Sequence, residues 1–277
     1  MHIFQVGAGS GGMVVLDLLA REPRVTRLTL VEPDRYLPHN VPRHLFPVSG
    51  VGQRKAELAQ QWLHERRPEL PVEIWPVDLT DPLDQPLLQK LVRECDLGVC
   101  AVDNEPAKFA FDALMRAAGK PWTLGEVLSG GIGGWVHRLA PGGACYGCVA
   151  SFLKRTVAEE PPPPAPDYAA PASPLPQATV PASRASIAVI ASLHATVTLQ
   201  WADQWHQPPD PTQPAPWTSL LFTLQPVPGV FEQPFRTYRW AVSRSASCLM
   251  CLHTPGPPTG ETLDEALDAA LARLGSH

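Results

Sequence analysis

Three glycines, Gly7, Gly9 and Gly12, stand at G-x-G-x-x-G spacing directly behind the apolar run His2-Ile3-Phe4-Gln5-Val6. A strand that empties into such a turn and then into a helix brings unpaired backbone N–H groups to a nucleotide's phosphates. Met13, Val14, Val15, Leu16, Leu18 and Leu19 supply the helix, and Gly11 keeps the turn small. A second apolar run, Leu28-Thr29-Leu30-Val31, ends on Glu32, with Asp34 two residues on. That is where a carboxylate reaches ribose hydroxyls.

The next stretch, 33–56, carries Arg35, Arg43, Arg54, Lys55, His39 and His44 against few acids, and its prolines exclude a long helix. A cationic loop just beyond a phosphate-binding turn implies a polyphosphate ligand. The alternative is a solvated loop whose charge is incidental.

Four of the six cysteines form two C-x-x-C pairs, Cys145/Cys148 and Cys248/Cys251. Two thiolates three residues apart can share one ion, and two such pairs complete a closed tetrahedral zinc site. Unpaired core cysteines or a redox C-x-x-C are the alternatives, although no thioredoxin-like pattern accompanies either pair. A four-thiolate site has no open position, so its role is to pin the late chain to the sheet. Cys95 and Cys100 flank an interior strand and read as buried.

Holding these groups together requires a regular scaffold. Helices are expected over 53–66, 83–92 and 107–118, and strands over 72–77, 96–102 and 122–124. With the first two strands, this alternation predicts a doubly wound parallel sheet, with Gly9, Glu32 and Asp103 at the carboxyl ends of strands. A glycine-rich approach at 130–134 leads into a strand ending at Leu139. From Pro161 to Pro181 nine of twenty-one residues are proline, a composition suited to a crossover or lid and not to a core. A buried helix from about Ser183, a proline patch over 208–216, strands near 220–224 and 238–242, and an acidic amphipathic helix over 263–274 complete the reading. The expected fold class is α/β: a Rossmann-like, mainly parallel sheet flanked by helices, with a zinc-pinned C-terminal extension of mixed or antiparallel strands. Its divisions are a nucleotide-binding core over 1–155, a crossover loop over 156–183, and the remainder of the fold over 184–277.

A net charge of −5 over 277 residues gives no general attraction to nucleic acid or to anionic membranes. No run of eighteen apolar residues is present. The first residues read as a buried strand and not as an export signal, so a cytoplasmic protein is expected.

Taken in order, the glycine turn, Glu32-x-Asp34, Asn40-x-x-Arg43, Gly52-Gln53-x-Lys55, Asp103-Asn104 and the two cysteine pairs resemble the ThiF/MoeB branch of the ubiquitin-activating enzyme superfamily. The resemblance covers 1–155 and returns at 184–203 and at the second cysteine pair. It implies an adenylyltransferase that uses ATP and Mg2+ to activate the C-terminal glycine of a ubiquitin-like or sulfur-carrier protein, with Zn2+ as a structural ion. It also implies a homodimer. In this reading Gly7, Gly9, Gly11 and Gly12 approach the nucleotide, Glu32 holds the ribose where the family usually has aspartate, and Asp34 completes the acidic pair. Arg43 and Lys55 contact the triphosphate, Asn40 supports them, and Asp103, beside Asn104, holds or steers magnesium.

The chain departs from the family in three places. Relatives use an arginine from a helix upstream of the first strand, but here the strand begins at residue 2; Arg21 and Arg35 are loose candidates for its place. Lys108 stands where an arginine usually follows the Asp-Asn motif, keeping the charge and losing the planar fork. Residues 149–247 contain no cysteine, so the reading expects no thioester on this chain and a separate thiol-bearing acceptor. Three rival readings share parts of the pattern: an NAD-dependent oxidoreductase, a tRNA-modifying dehydratase of the same superfamily, and a scaffold that binds a ubiquitin-like partner without turnover.

Overall fold

The computed structural model describes residues 1–153, 182–205 and 217–252. The prolines of 161–181 and 208–216 and the expected helix over 263–274 lie outside the described residues.

The first half alternates strand and helix: β1 (His2–Val6), α1 (Gly12–Ala20), β2 (Arg27–Val31), α2 (Lys55–His64), β3 (Val72–Trp75), α3 (Gln85–Glu94), β4 (Leu97–Cys100), α4 (Glu105–Ala117) and β5 (Trp122–Val127). β6 (Gly133–Leu139), α5 (Tyr146–Phe152), α6 (Arg184–Gln204), β7 (Ser219–Thr223), β8 (Thr237–Trp240) and α7 (Leu249–Leu252) follow. They build an eight-stranded sheet in the order β3-β2-β1-β4-β5-β6-β7-β8. β1 to β5 run parallel to one another, and β6, β7 and β8 add antiparallel beyond β5. The strand order reverses direction at β1, between β2 and β4, which is the switch point where open parallel sheets leave a crevice.

Alternation along β1 sends Ile3 and Phe4 to opposite faces. Ile3 joins Leu28, Leu30 and Val99 under α1, α2 and α6, whereas Phe4 joins Val6, Leu88, Phe111 and Trp122 under α3 and α4. Both layers are continuous and buried, so the carboxyl ends of the strands are held on a rigid base. Local chemistry marks the helix starts: the Asn104 side chain accepts a hydrogen bond from Ala107 N at α4, and Ser183 does the same from Ser186 N at α6.

β5 runs three residues beyond the expected 122–124. Gly125, Glu126 and Val127 are drawn into the sheet by antiparallel pairing with Val136, Trp135 and Gly134. α6 is long and apolar enough by composition to cross a membrane. Its Ile187, Ile190, Ala191, His194 and Thr198 are buried, however, and Thr198 and His194 hydrogen-bond to Thr123 on β5.

Candidate functional site

The carboxyl ends of β1, β2, β4 and β5 surround a cleft of ≈ 1310 Å³. Gly7 turns the chain out of β1 at φ +94°, and a Cβ there would lie 2.5 Å from the carbonyl oxygen of Ala101. At Gly12 a Cβ would lie 2.4 Å from the Gly7 oxygen, so this glycine lets the turn fold back on itself. Gly9 differs: a Cβ there would meet nothing within 4 Å. The protein's own packing does not require glycine at that position, and the side it leaves bare faces the cleft. Gly11 precedes α1 as its N-cap.

Two residues that sequence reasoning missed hold this turn. Gln5 is fully buried, and its Nε2 donates to the carbonyls of Gly7 and Gly12 at 2.9 and 2.7 Å. His44 Nε2 donates to the Ala8 carbonyl at 2.9 Å, while Nδ1 faces Phe46 N at 3.4 Å. Burial lowers the His44 pKa to about 4, so the ring is neutral and its proton sits on Nε2. A lone amide in an otherwise apolar strand was the available signal for Gln5. For His44 there was none beyond its charge type.

Glu32 closes the turn from the other side. Its Oε2 accepts from Ala8 N at 2.6 Å and its Oε1 from Asp34 N at 2.9 Å. The N–H and the carbonyl of Ala8 are therefore both held, by Glu32 and by His44. Burial pushes the Glu32 pKa up, against the pull of Lys55 and these N–H groups. Each carboxylate oxygen retains a second lone pair, which leaves acceptors for a ligand hydroxyl.

The basic loop is an anchored structure. Tyr36, His44 and Phe46 pack ring against ring, the Tyr36 hydroxyl donates to the Phe46 carbonyl, and Tyr36 and Gly52 are joined by a backbone hydrogen bond. This clasp returns Lys55, buried at the start of α2, to Asp34 at 2.7 Å. Asn40 Oδ1 accepts from Leu37 N and its carbonyl accepts from the N–H groups of Arg43 and His44, so Asn40 shapes the turn that carries Arg43. The Arg43 side chain has no hydrogen bond or ion pair among the described residues. Of the two loose candidates for an extra cation, Arg21 is paired with Asp17 on the outside of α1, and Arg35 donates to the Gly52 carbonyl.

Asp103, just past β4, is exposed on the cleft and has no side-chain partner among the described residues. Asn104 beside it is committed to capping α4. One turn on, Lys108 is buried between Glu105 at 2.7 Å and Glu126 at 2.6 Å, and the Tyr146 hydroxyl also donates to Glu105. His137 is fully buried nearby, and burial lowers its pKa to about 3.

The cysteine pairs meet. Cys145 Sγ lies 3.7 Å from Cys148 and 3.5 Å from Cys248, and Cys148 lies 3.7 Å from Cys251. A tetrahedral zinc ion with bonds of about 2.3 Å separates its sulfurs by about 3.8 Å, so this set fits a four-cysteine zinc site. α4 braces it: Asp112 accepts from Tyr146 N and from Arg116, and Arg116 donates to the Met250 carbonyl. Cys95 and Cys100 are both fully buried, and burial pushes each pKa up to about 12. Neither thiol has the exposure or thiolate character of a nucleophile.

The class is thus a Rossmann-like α/β protein with a cleft at the switch point of its sheet. Within that class, the chain belongs to the ThiF family, whose profile matches residues 1–227. It is 34% identical over 149 residues to the sulfur carrier protein adenylyltransferase of Thermus thermophilus, covering 52% of this chain and 53% of that protein. It is 30% identical over 149 residues to the SAMP-activating enzyme E1 of Haloferax volcanii, with 53% of each covered. The chain therefore spans about half the length of these relatives. Among solved structures, the microcin C7 biosynthetic enzyme MccB in complex with N-formylated MccA superposes with a TM-score of 0.64 at 19% identity, over 90% of this chain and 67% of that one. At that identity the likeness is one of fold.

Proposed function

We propose that this protein adenylates the C-terminal glycine carboxylate of a ubiquitin-like or sulfur-carrier protein, consuming ATP and releasing pyrophosphate. The observation that carries this reading is that Arg43, Lys55 and Asp103, the last without a side-chain partner among the described residues, line one cleft whose glycine turn leaves open space at Gly9. Support also comes from the family and from the two relatives, one named for a sulfur carrier protein and the other for SAMP activation.

In the reaction an oxygen of the terminal carboxylate attacks the α-phosphorus, the bond from that phosphorus to the bridging oxygen breaks, and pyrophosphate departs. Little covalent chemistry is asked of the protein; positioning and charge neutralisation supply the rate. Glu32 orders the turn and offers its remaining lone pairs to the ribose. The bare side of Gly9 admits the phosphates, with backbone donors at the α1 N-terminus beside them. Arg43 and Lys55 neutralise the triphosphate, and pairing with Asp34 holds Lys55 in place. Magnesium, when bound, would screen phosphate charge, and Asp103 is the carboxylate we assign to hold it. A zinc ion on the four cysteines would brace α4, whose first turn adjoins Asp103. The buried Cys95 and Cys100 support transfer of the acyl group to a thiol on another protein, and the working assembly is taken as a homodimer.

The test is exchange of labelled pyrophosphate into ATP, with a panel of small carrier proteins ending in Gly-Gly and the same carriers lacking the last glycine. Exchange that requires the terminal glycine and is lost in Asp103→Ala, with the fold intact, is expected. Full exchange in that variant removes Asp103 from the mechanism, and exchange with no carrier of the panel refutes the proposed substrate class.

A further inference from the structure

Arg184 opens α6 on the same helical stripe as the buried Ile187, Ala191 and Thr198. Its Nη1 is buried without a hydrogen-bond partner, and its guanidinium has no ion pair among the described residues. Arginine does not lose its proton in proteins, so a buried, unsatisfied guanidinium nitrogen is a costly arrangement unless an acceptor comes to it. Sequence reasoning passed over this residue.

Its surroundings identify that acceptor. Side chains on a helix lean toward its N-terminus, which here means toward Ala182 on the cleft wall. One turn on, Ile187 also lines the cleft, and its Cγ2 lies 3.6 Å from where a Cβ on Gly11 would sit. The first turn of α6 thus stands against the start of α1, next to the glycine turn. Across from it the basic loop presents Arg43, which is also without a side-chain partner among the described residues. Arg184 is close enough to His44, the neighbour of Arg43, to help depress that residue's pKa, after burial and Lys55. Arg43 and Lys55 thus line the cleft, with Arg184 opening the helix beside it, and of the three only Lys55 has a carboxylate partner among the described residues, Asp34. Two guanidinium groups without an ion pair among the described residues, Arg43 on the cleft wall and Arg184 at the start of the helix that borders it, match a ligand segment of high negative charge density with several acceptor oxygens.

We propose that Arg184 binds the terminal phosphates of the nucleoside triphosphate together with Arg43, and so holds the group that leaves as pyrophosphate. This inference rests on the adenylation reading above and adds a residue to it. Because Arg184 meets the terminal phosphates and not the nucleoside, it separates ATP from AMP.

The test is calorimetric titration of the full chain with ATP, ADP and AMP, each with magnesium, for the wild type, Arg184→Ala, Arg184→Gln and Arg184→Lys. ATP affinity is expected to fall about tenfold or more in the alanine and glutamine variants, with AMP affinity within about twofold of wild type and partial recovery of ATP binding in the lysine variant. A merely structural role would weaken AMP and ATP alike. Equal losses for both nucleotides, or an unchanged ATP-to-AMP ratio, overturn the assignment while leaving the adenylation reading in place. Wild-type protein that binds no ATP overturns both.

Discussion

Gly9 and Gly12 are glycines for different physical reasons, and substituting each by alanine separates them. At Gly9 an added Cβ meets nothing within 4 Å, and the backbone is not left-handed. The Gly9→Ala protein should fold as well as the wild type or be about 0.4–1 kcal/mol more stable, because alanine restricts the unfolded chain. For a chain of this size that is a rise of up to about 4 °C in Tm. Under the proposed function, the same methyl occupies the space through which the phosphates would approach the backbone donors. Losing one charge-assisted hydrogen bond costs about 1.5–3 kcal/mol, a drop of about ten- to 150-fold in ATP affinity. At Gly12 the Cβ lies 2.4 Å from one backbone oxygen and 2.9 Å from its carbon. The turn must part, with an overpacking cost of about 1–3 kcal/mol, and Tm should fall by about 2–12 °C. Thermal melts of both variants, with titration by ATP and magnesium, read the two effects. Wild-type ATP affinity in Gly9→Ala, or wild-type Tm in Gly12→Ala, refutes the reasoning.

Lys108→Met removes the buried cation that contacts both Glu105 and Glu126 and should lose about 3 kcal/mol in urea unfolding; an unchanged midpoint would mean that these ion pairs contribute nothing. Purified protein should contain one zinc per chain by elemental analysis, and Cys248→Ser should lose both the metal and several degrees of Tm; full stability without metal would remove zinc from the account. His194 and His137 are buried with pKa values lowered by burial to about 3, and His44 to about 4. The unfolded chain binds their protons first, so their contribution to stability is complete above about pH 6.5, the pKa of an unperturbed histidine, and declines as the pH falls toward the folded values. Denaturation midpoints measured between pH 7 and 4 should therefore drop, and His194→Gln should flatten the drop by one proton's worth of slope.

How much of this was legible in the sequence follows from which interactions are local. The glycine turn, the apolar strands of the first half and the cysteine pairs are written in short-range spacing, and they lie where that spacing places them. The end of β5 was missed because Gly125 and Glu126 have little strand preference of their own; pairing with β6 decides their state. The basic stretch was read as a loop with no internal packing assigned, since nothing local shows that Tyr36, His44 and Phe46 pack together. Glu32 was assigned to ribose alone, yet its carboxylate also accepts from two backbone N–H groups, and only the folded turn displays that. Gln5 reaches carbonyls only two and seven residues on, yet its role shows only once the glycine turn folds back over it, whereas Arg184 stands near residues distant in sequence and is recognised only once α6 and the basic loop are assembled.

The central claim is tested most directly by looking for the activated product. Wild-type protein, ATP, magnesium and a small carrier protein ending in Gly-Gly are quenched in acid, and the carrier's intact mass is recorded. An addition of one AMP to the carrier's C-terminal carboxylate, absent when the final glycine is removed, is the expected result. A protein that binds ATP yet leaves every such carrier unmodified would contradict the account.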